Sequence, residues 1–527
     1  MEQKTLVAIT GASGAMGSEA VKLLARNKNL QLRLLLFKKE GKPARWLRAF
    51  LKQNRDNVSY FYGDIADKSD CEKLTDGADY LLHMAAYIPP KSDHDAEQTR
   101  LSDYVGTKNL VDAVIEQGNR TKFIHICTVA IYGNRAYPHN YGRVGDPVIS
   151  SDYDNYSLWK LKGERYVLDA GLKHFVSLRQ TGVLHKWMFK NNLKDGLVFH
   201  TSWNCCLEWV TDRDSAILCQ NLIERDQKNL LTGFWNRCYN IGGGKEQRKT
   251  GYEVVDRGFS LMGSTAKKFF KPNWNIPRNF HGMWYTDSDE LEEFLGFRHE
   301  TFEDYWRRMG KKYWFYRLGK LAPPALVSRL AIQRLFKNTN APMYWVNHDK
   351  KGRVQAFYGG KAEFDRIGTD WSRFPLLCEG FAPDGSKVDI DAMRDPAYAE
   401  KNGLLLSHGY DDKKKIEDWT EADFSSAAAF RGGEYLGGAA GAENAYRKTE
   451  WKCHAGHVFS SAPYTVLKGG YWCPVCAEPK PWRYGALAKV APFYAQVYFD
   501  THTEEEADDV YPLTENEDSF MDSIPHS

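Results

Sequence analysis

Tyr156 and Lys160 stand four residues apart in Tyr156-Ser157-Leu158-Trp159-Lys160. On a helix that spacing puts both side chains on one face. A tyrosine hydroxyl with a pKa near 10 is a poor proton carrier at neutral pH, and a neighbouring ammonium favours its phenolate. Lowering it by about 3 units takes roughly 4 kcal/mol of differential interaction, within reach of a close lysine and a bound cationic ring acting together. Thr128 closes the apolar run Phe123 to Cys127. A hydroxyl at the carboxyl end of a parallel strand faces the ligand crevice, where it would hold a substrate oxygen against Tyr156. The three residues are read as a general acid/base unit.

A second constellation is Thr10-Gly11-Ala12-Ser13-Gly14-Ala15-Met16-Gly17, directly after the apolar run Leu6 to Ile9. Gly11 permits a tight turn, Gly14 lets a pyrophosphate approach backbone N–H groups at a helix N-terminus, and Gly17 lets that helix lie close to the sheet. Gly11, Ser13, Gly14, Ala15, Met16 and Gly17 are therefore the expected dinucleotide seat. The second strand ends Phe37-Lys38-Lys39 with no carboxylate before Glu40. Lys38 and Lys39 would favour a ribose 2′-phosphate, so NADP is expected and NAD is the alternative.

A third constellation is Cys453-x3-His457 followed by Cys473-Pro474-Val475-Cys476. Each short spacing brings two ligands to one ion, and four ligands close a tetrahedral Zn²⁺ shell with no place for water. A structural zinc is expected, with metal binding driving the folding of a small module. His454 competes for the place given to His457. The other seven cysteines, Cys71, Cys127, Cys205, Cys206, Cys219, Cys238 and Cys378, have no metal-like spacing.

The elements that must position these groups alternate in type. Leu6–Ile9, Leu32–Phe37, Val58–Tyr62, Tyr80–Met84, Phe123–Cys127 and Phe175–Arg179 read as strands, with a helix over Ser18–Ala25 after the first. Strand, helix, strand at this spacing predicts an α/β fold, a doubly wound parallel sheet covered on both faces. Residues 1–300 form that domain with a substrate-side lobe. Residues 301–345 form a basic aromatic connector, helical over Leu326–Phe336, and 346–429 a mixed region. Residues 430–482 form the zinc module, and 483–527 a tail whose acidic end, from about 500, is expected to be disordered.

The chain of 527 residues is 43% hydrophobic, 26% charged and 14% aromatic, with a net charge of +3. That balance gives no argument for nucleic acid. The absence of an 18-residue apolar run argues against a transmembrane helix, and a cytoplasmic location is expected. Between Trp306 and Lys337 lie nine lysines or arginines and no acid. Interleaved with aromatics, residues 306–337 could contact an anionic membrane surface; packing against the core is the blander expectation.

The motifs together resemble the extended short-chain dehydrogenase/reductases, the group of NAD(P)-dependent sugar epimerases, dehydratases and 3β-hydroxysteroid dehydrogenase-like enzymes. The carrying pieces are the glycine loop, Gly63-Asp64, His83-Met84-Ala85-Ala86, Gly106-Thr107-Lys108-Asn109-Leu110, Thr128 before Tyr132-Gly133, Tyr156 with Lys160, and Tyr239-Asn240-Ile241-Gly242-Gly243-Gly244. The resemblance implies a Rossmann-type fold. It implies cofactor contacts from Asp64 and Ile65, Ala85 and Ala86, Thr181 to Val183, and Lys160 on the nicotinamide ribose. It also implies that Glu208 to Asp214 order the substrate-side lobe, and that a homodimer forms through the helices flanking Tyr156. The residues around Cys453 and Cys473 resemble a treble-clef or zinc-ribbon module.

The sequence departs from the family pattern at Asp103, where Asn is usual, at Gln180, where Pro is common, and at Val129-Ala130, where sugar 4,6-dehydratases carry Asp-Glu. The last departure removes the acid and base of a dehydration. The reading is an NADP(H)-dependent oxidoreductase that interconverts a carbonyl and a secondary alcohol on a small-molecule substrate. The apolar loop Tyr87-Ile88-Pro89-Pro90 suggests a steroid- or lipid-like one. A nucleotide-sugar epimerase with tightly held NAD is the alternative, and a cofactor-binding sensor or scaffold with a zinc recruitment module the second.

Overall fold

The computed structural model describes residues 4–38, 45–188, 194–321, 323–438, 445–477 and 482–512. Seven parallel strands form the central sheet: β1 (Thr5–Thr10), β2 (Leu30–Phe37), β3 (Val58–Gly63), β4 (Tyr80–His83), β5 (Lys122–Thr128), β6 (Phe175–Gln180) and β7 (Arg237–Ile241). Their spatial order is β7-β6-β5-β4-β1-β2-β3. Six of them answer the predicted strands to within two residues at either end. β7 coincides with the Tyr239-Asn240-Ile241 motif. The chain reverses direction across the sheet between β1 and β4, which opens a crevice at the carboxyl ends of those two strands.

Helices cover both faces. α1 (Ala15–Leu24) and α4 (Asp212–Gln227) pack Val21, Leu24, Leu218 and Leu222 onto Val7 and Ile9 of β1. On the other face α2 (Gly106–Glu116) and α3 (Asn155–Asp169) pack Leu110, Val114, Leu158 and Leu161 onto Ala8, Leu81 and Phe123. Burial on both faces explains why these strands read as apolar runs rather than alternating ones. α1 begins at Ala15, earlier than the predicted Ser18, because the glycine loop itself winds into the first turn. α3 begins at Asn155 because the Asp154 carboxylate accepts a hydrogen bond from the Ser157 backbone N–H at 2.9 Å.

The connector splits into an amphipathic helix and a run of short turns. α5 (Phe302–Lys312) buries Tyr305, Trp306 and Met309. Helical turns follow over Trp314–Leu321 and from Pro324 to Lys337.

The C-terminal part is not an isolated module. Its strands β8 (Gly433–Gly437), β9 (Thr449–Cys453) and β10 (Val458–Ser461) form an antiparallel sheet. The sheet shares one apolar core with the face of the central sheet covered by α2 and α3, through Trp451, Tyr464, Leu467 and Trp472. The Asp169 carboxylate at the end of α3 accepts hydrogen bonds from Ser461 Oγ, the Ala462 N–H and Thr465 Oγ1. Arg165 of the same helix donates to the Trp472 carbonyl at 2.6 Å.

The expected disorder from about residue 500 does not hold over 500–512. Glu506 receives a hydrogen bond from buried Arg278 at 2.6 Å, and Tyr511 packs beside Tyr153 and exchanges backbone hydrogen bonds with Trp482. An acid that finds a buried guanidinium is ordered by it; the composition of the segment does not reveal that partner. The acidic end beyond residue 512 lies outside the described residues, as does Lys39.

Candidate active site and metal centre

The glycine loop sits at the carboxyl end of β1. Gly11 has φ +73°, and a Cβ there would lie 2.6 Å from the Ala85 backbone nitrogen. Only glycine lets the loop and the strand-β4 segment Ala85-Ala86 approach so closely. A Cβ on Gly17 would lie 2.2 Å from the Gly11 carbonyl oxygen, so α1 can sit on the turn only without one. Gly14 is exposed at the N-terminus of α1, with Ser13 and Ala15 half-buried beside it and Met16 buried beneath. This cradle fits a dinucleotide pyrophosphate: a bare backbone at a helix N-terminus with no side chain in the way.

A hydrogen-bonded chain runs behind the cradle. The Ala85 N–H donates to Thr10 Oγ1 at 3.1 Å, Thr10 meets His83 Nδ1 at 2.8 Å, His83 Nε2 meets Thr107 Oγ1 at 3.0 Å, and Thr107 donates to the Asp103 carbonyl at 2.9 Å. Each hydroxyl has one proton to give. Thr107 spends its proton on Asp103, so His83 carries its own on Nε2 and accepts from Thr10 at Nδ1. Burial, and then the Lys160 charge, hold His83 well below the usual histidine range and keep it neutral. The Ala85-Ala86 backbone is thereby tied to the wide helical turn Leu101–Val105 that carries Asp103.

Tyr156 and Lys160 lie on the first turns of α3. Lys160 is buried, and its ammonium donates to the Ile126 carbonyl of β5 at 2.8 Å. The Thr128 hydroxyl accepts from the Ala130 N–H and is a hydrogen-bonding neighbour of the Tyr156 hydroxyl. Burial pushes the Tyr156 hydroxyl up, the Asp103 carboxylate pushes it further, and Thr128 works against both. Burial raises the Asp103 carboxyl to about 6, while Lys160 and the Tyr87 N–H pull it back. Asp103 is fully buried and accepts from the Tyr87 N–H at 2.7 Å. α3 reaches it because Gly163 has no side chain; a Cβ there would lie 2.6 Å from the Asp103 carbonyl oxygen.

The other expected cofactor contacts spread along the same edge. Asp64 and Ile65 are buried just after β3, with the Asp64 carboxylate accepting from the Ala66 N–H. Thr181 is buried and Val183 half-buried after β6. Lys38 is exposed at the end of β2, with its ammonium 4.0 Å from the Asp70 carboxylate. Glu208, in the segment expected to order the lobe, is fully buried. It accepts from the Gly244 N–H, Arg248 Nε, the Tyr285 N–H and Ser288 Oγ, which ties its own strand to the segments 244–248 and 285–288.

A cavity of about 470 Å³ begins at Pro89 and Asn155, chain neighbours of the Ala85-Ala86 loop and of Tyr156. Asp93, His94, His200 and Arg353 line it together with the rings of Tyr344 and Trp345. Burial raises the Asp93 carboxyl to about 7, with Asp154 adding to the effect, and burial lowers His200 to about 4. Both groups are neutral hydrogen-bonding groups near pH 6. The sequence pattern did not reveal this pocket, because Tyr344 and Trp345 come from the end of the connector and Arg353 from the mixed region, more than 180 residues after Tyr156.

Cys453, His457, Cys473 and Cys476 bring their ligand atoms within 4.8 Å of one another. Cys453 Sγ lies 3.7 Å from Cys476 Sγ, and His457 Nδ1 lies 3.4 Å from both Cys453 Sγ and Cys476 Sγ. A tetrahedron with metal–sulfur bonds of about 2.3 Å has sulfur–sulfur edges of about 3.8 Å, so the set fits zinc. His454 is exposed and outside the cluster. The β9–β10 turn fixes the pair: the Cys453 N–H donates to the His457 carbonyl and the Gly456 N–H to the Cys453 carbonyl.

Residues 7–184 match the family described as NAD dependent epimerase/dehydratase. A 3beta-hydroxysteroid-dehydrogenase/decarboxylase of Arabidopsis thaliana is 28% identical over 171 residues, covering 31% of this chain and 29% of that protein. An uncharacterized chloroplastic protein of the same plant is 26% identical over 195 residues, covering 34% and 54%. The chain thus spans about half or less of the length of these relatives. Among solved structures, UDP-glucuronic acid 4-epimerase from Bacillus cereus in complex with UDP-glucuronic acid and NAD is 19% identical, with a TM-score of 0.45 over 59% of this chain and 100% of that one. A dTDP-glucose 4,6-dehydratase of Streptomyces venezuelae with NAD bound is 20% identical, with a TM-score of 0.46 over 58% and 96%.

Proposed function

We propose that this protein is an NAD-linked oxidoreductase of the epimerase type, acting on a secondary alcohol or carbonyl of a small polar, sugar-like substrate. One observation carries the reading: the glycine cradle, the Ala85-Ala86 backbone, Thr128, Tyr156 and Lys160 all gather at the carboxyl ends of β1, β4 and β5. NAD, when bound, supplies the hydride donor or acceptor. The chain supplies orientation and the proton. Burial first, and the Asp103 carboxylate after it, favour the protonated Tyr156 hydroxyl. Tyr156 gives that proton to a carbonyl oxygen beside Thr128 in the reducing direction and takes it from the alcohol in the oxidising one. Lys160 neutralises the buried Asp103 and fixes the start of α3 against β5.

The pocket favours a polar substrate over a steroid-like one. Asp93, His94, His200 and Arg353 offer hydrogen bonds to hydroxyl groups, while the Tyr344 ring offers apolar surface to the carbon side of a sugar. A dehydration has no support here, because Val129 and Ala130 carry no proton-transfer group. The second reading, reduction of a hydrophobic ketone with NADPH, rests on the exposed Ile88 of the loop after Ala86. Nucleotide extracted from the purified protein separates the two. Retained NAD⁺ supports the epimerase-type reading. Protein free of nucleotide that binds NADPH well and NADH poorly overturns it.

A further inference from the structure

The segment from Lys311 to Lys337 is anchored by one side and bare on the other. Its inward side is well packed. Tyr313 donates to the Lys186 carbonyl, Ser328 Oγ to the Phe269 carbonyl, and Ile332 and Leu335 are buried in the cluster of Phe199, Phe269 and Phe270. Its outward side keeps Trp314 65% exposed, Leu318 60% and Leu330 62%, with Phe315 and Leu326 also exposed. Lys311, Lys312, Arg317, Arg329, Arg334 and Lys337 are exposed among them. The segment contains no acid, and among the described residues no carboxylate pairs with any of these six cations.

Large apolar side chains are rarely left in water together without a partner. A soluble helical face meant for water would mix both signs of charge. Here exposed apolar and cationic side chains alternate along the segment, while Tyr313, Ser328, Ile332 and Leu335 fix it to the protein. That composition suits the headgroup boundary of an anionic bilayer, where rings and aliphatic chains enter the interface and ammonium and guanidinium groups meet lipid phosphates and carboxylates. No helix among the described residues is long and apolar enough to cross a membrane. We propose that residues 311–319 and 323–337 form a docking surface for an anionic lipid bilayer, with Trp314, Leu318 and Leu330 as the inserted side chains and Arg317 and Arg329 as headgroup contacts.

The test is co-sedimentation of the full chain with phosphatidylcholine vesicles that carry or lack phosphatidylserine. The expected result is binding to the anionic vesicles only, weakened by salt and accompanied by a blue shift of tryptophan emission. Trp314→Ser/Leu318→Ser/Leu330→Ser and Arg317→Glu/Arg329→Glu variants, altered only at exposed positions, should each lose binding by about tenfold or more. Failure of the unaltered protein to bind, or equal binding by both variants, overturns the proposal. So does a dimer seen by light scattering that the serine variant abolishes without any vesicle binding, because the occupant is then a second copy of the chain.

Discussion

Arg179 and Glu164 lie 2.9 Å apart with both side chains fully buried, and the C-terminal segment completes their shell. Tyr471 donates to Glu164 at 2.7 Å, and Arg179 donates to the Gly469 carbonyl at 2.7 Å. The pair sits between α3, which carries Tyr156, and β6. The segment that carries the Cys/His cluster is therefore fastened to the helix that holds the candidate catalytic residues. Removing one member of such a pair strands a buried charge and costs about 3–5 kcal/mol, whereas removing one hydrogen bond to it costs about 1–3 kcal/mol. Glu164→Gln should lower stability within the first range in urea denaturation and Tyr471→Phe within the second. A loss under about 1 kcal/mol for Glu164→Gln would show that the pair is not structural.

The four-ligand cluster should hold one zinc ion per chain by elemental analysis. Cys473→Ser should lose the metal and lower the midpoint of thermal unfolding. Because Trp472 precedes Cys473 and packs against Trp451 and Phe459, its emission should report the loss. Full metal content in the Cys473→Ser variant would move the site elsewhere.

Tyr156→Phe removes only the hydroxyl. Cofactor affinity should change by no more than about threefold, while turnover on any accepted substrate falls by about 10²–10⁴. Asp103→Asn removes a charge that pushes the Tyr156 hydroxyl up, so the variant's turnover should titrate at lower pH. Unchanged turnover in Tyr156→Phe would remove Tyr156 from the chemistry.

Asp152 offers a test by pH. Burial raises its carboxyl to about 7, helped by Asp509 and opposed by Asn279 and Arg278. The unfolded chain releases this proton near pH 4, so between about pH 4 and 7 the folded state binds more protons than the unfolded one. This group's contribution to stability is therefore greatest below pH 4, declines up to about pH 7 and is constant above it. Asp152→Asn escapes the decline. It should be more stable than the parent by about 1–4 kcal/mol at pH 8, with the advantage gone near pH 4. An advantage that does not vary with pH would contradict the assignment.

The sheet and the glycine loop were legible because local rules fix them. A strand buried on both faces must be apolar, and Gly11 and Gly17 occupy places where any Cβ collides. The metal ligands were legible because two ligands on one turn need short spacings. The pocket was not, because Arg353 and Trp345 reach it through tertiary packing that no periodicity records. The electrostatic link between Asp103 and Lys160 was not legible either, because the two lie more than 50 residues apart and meet only in the folded chain.

The central claim is that the cradle at Gly11, Gly14 and Gly17 holds a nicotinamide dinucleotide beside Tyr156. Calorimetric titration of nucleotide-stripped, zinc-replete protein with NADH, alongside a Gly17→Val variant, tests it most directly. The account predicts one saturable site per chain, tighter for NADH than for NADPH and lost in Gly17→Val. Binding of neither nucleotide by the unaltered protein, or equal binding by the variant, would contradict it.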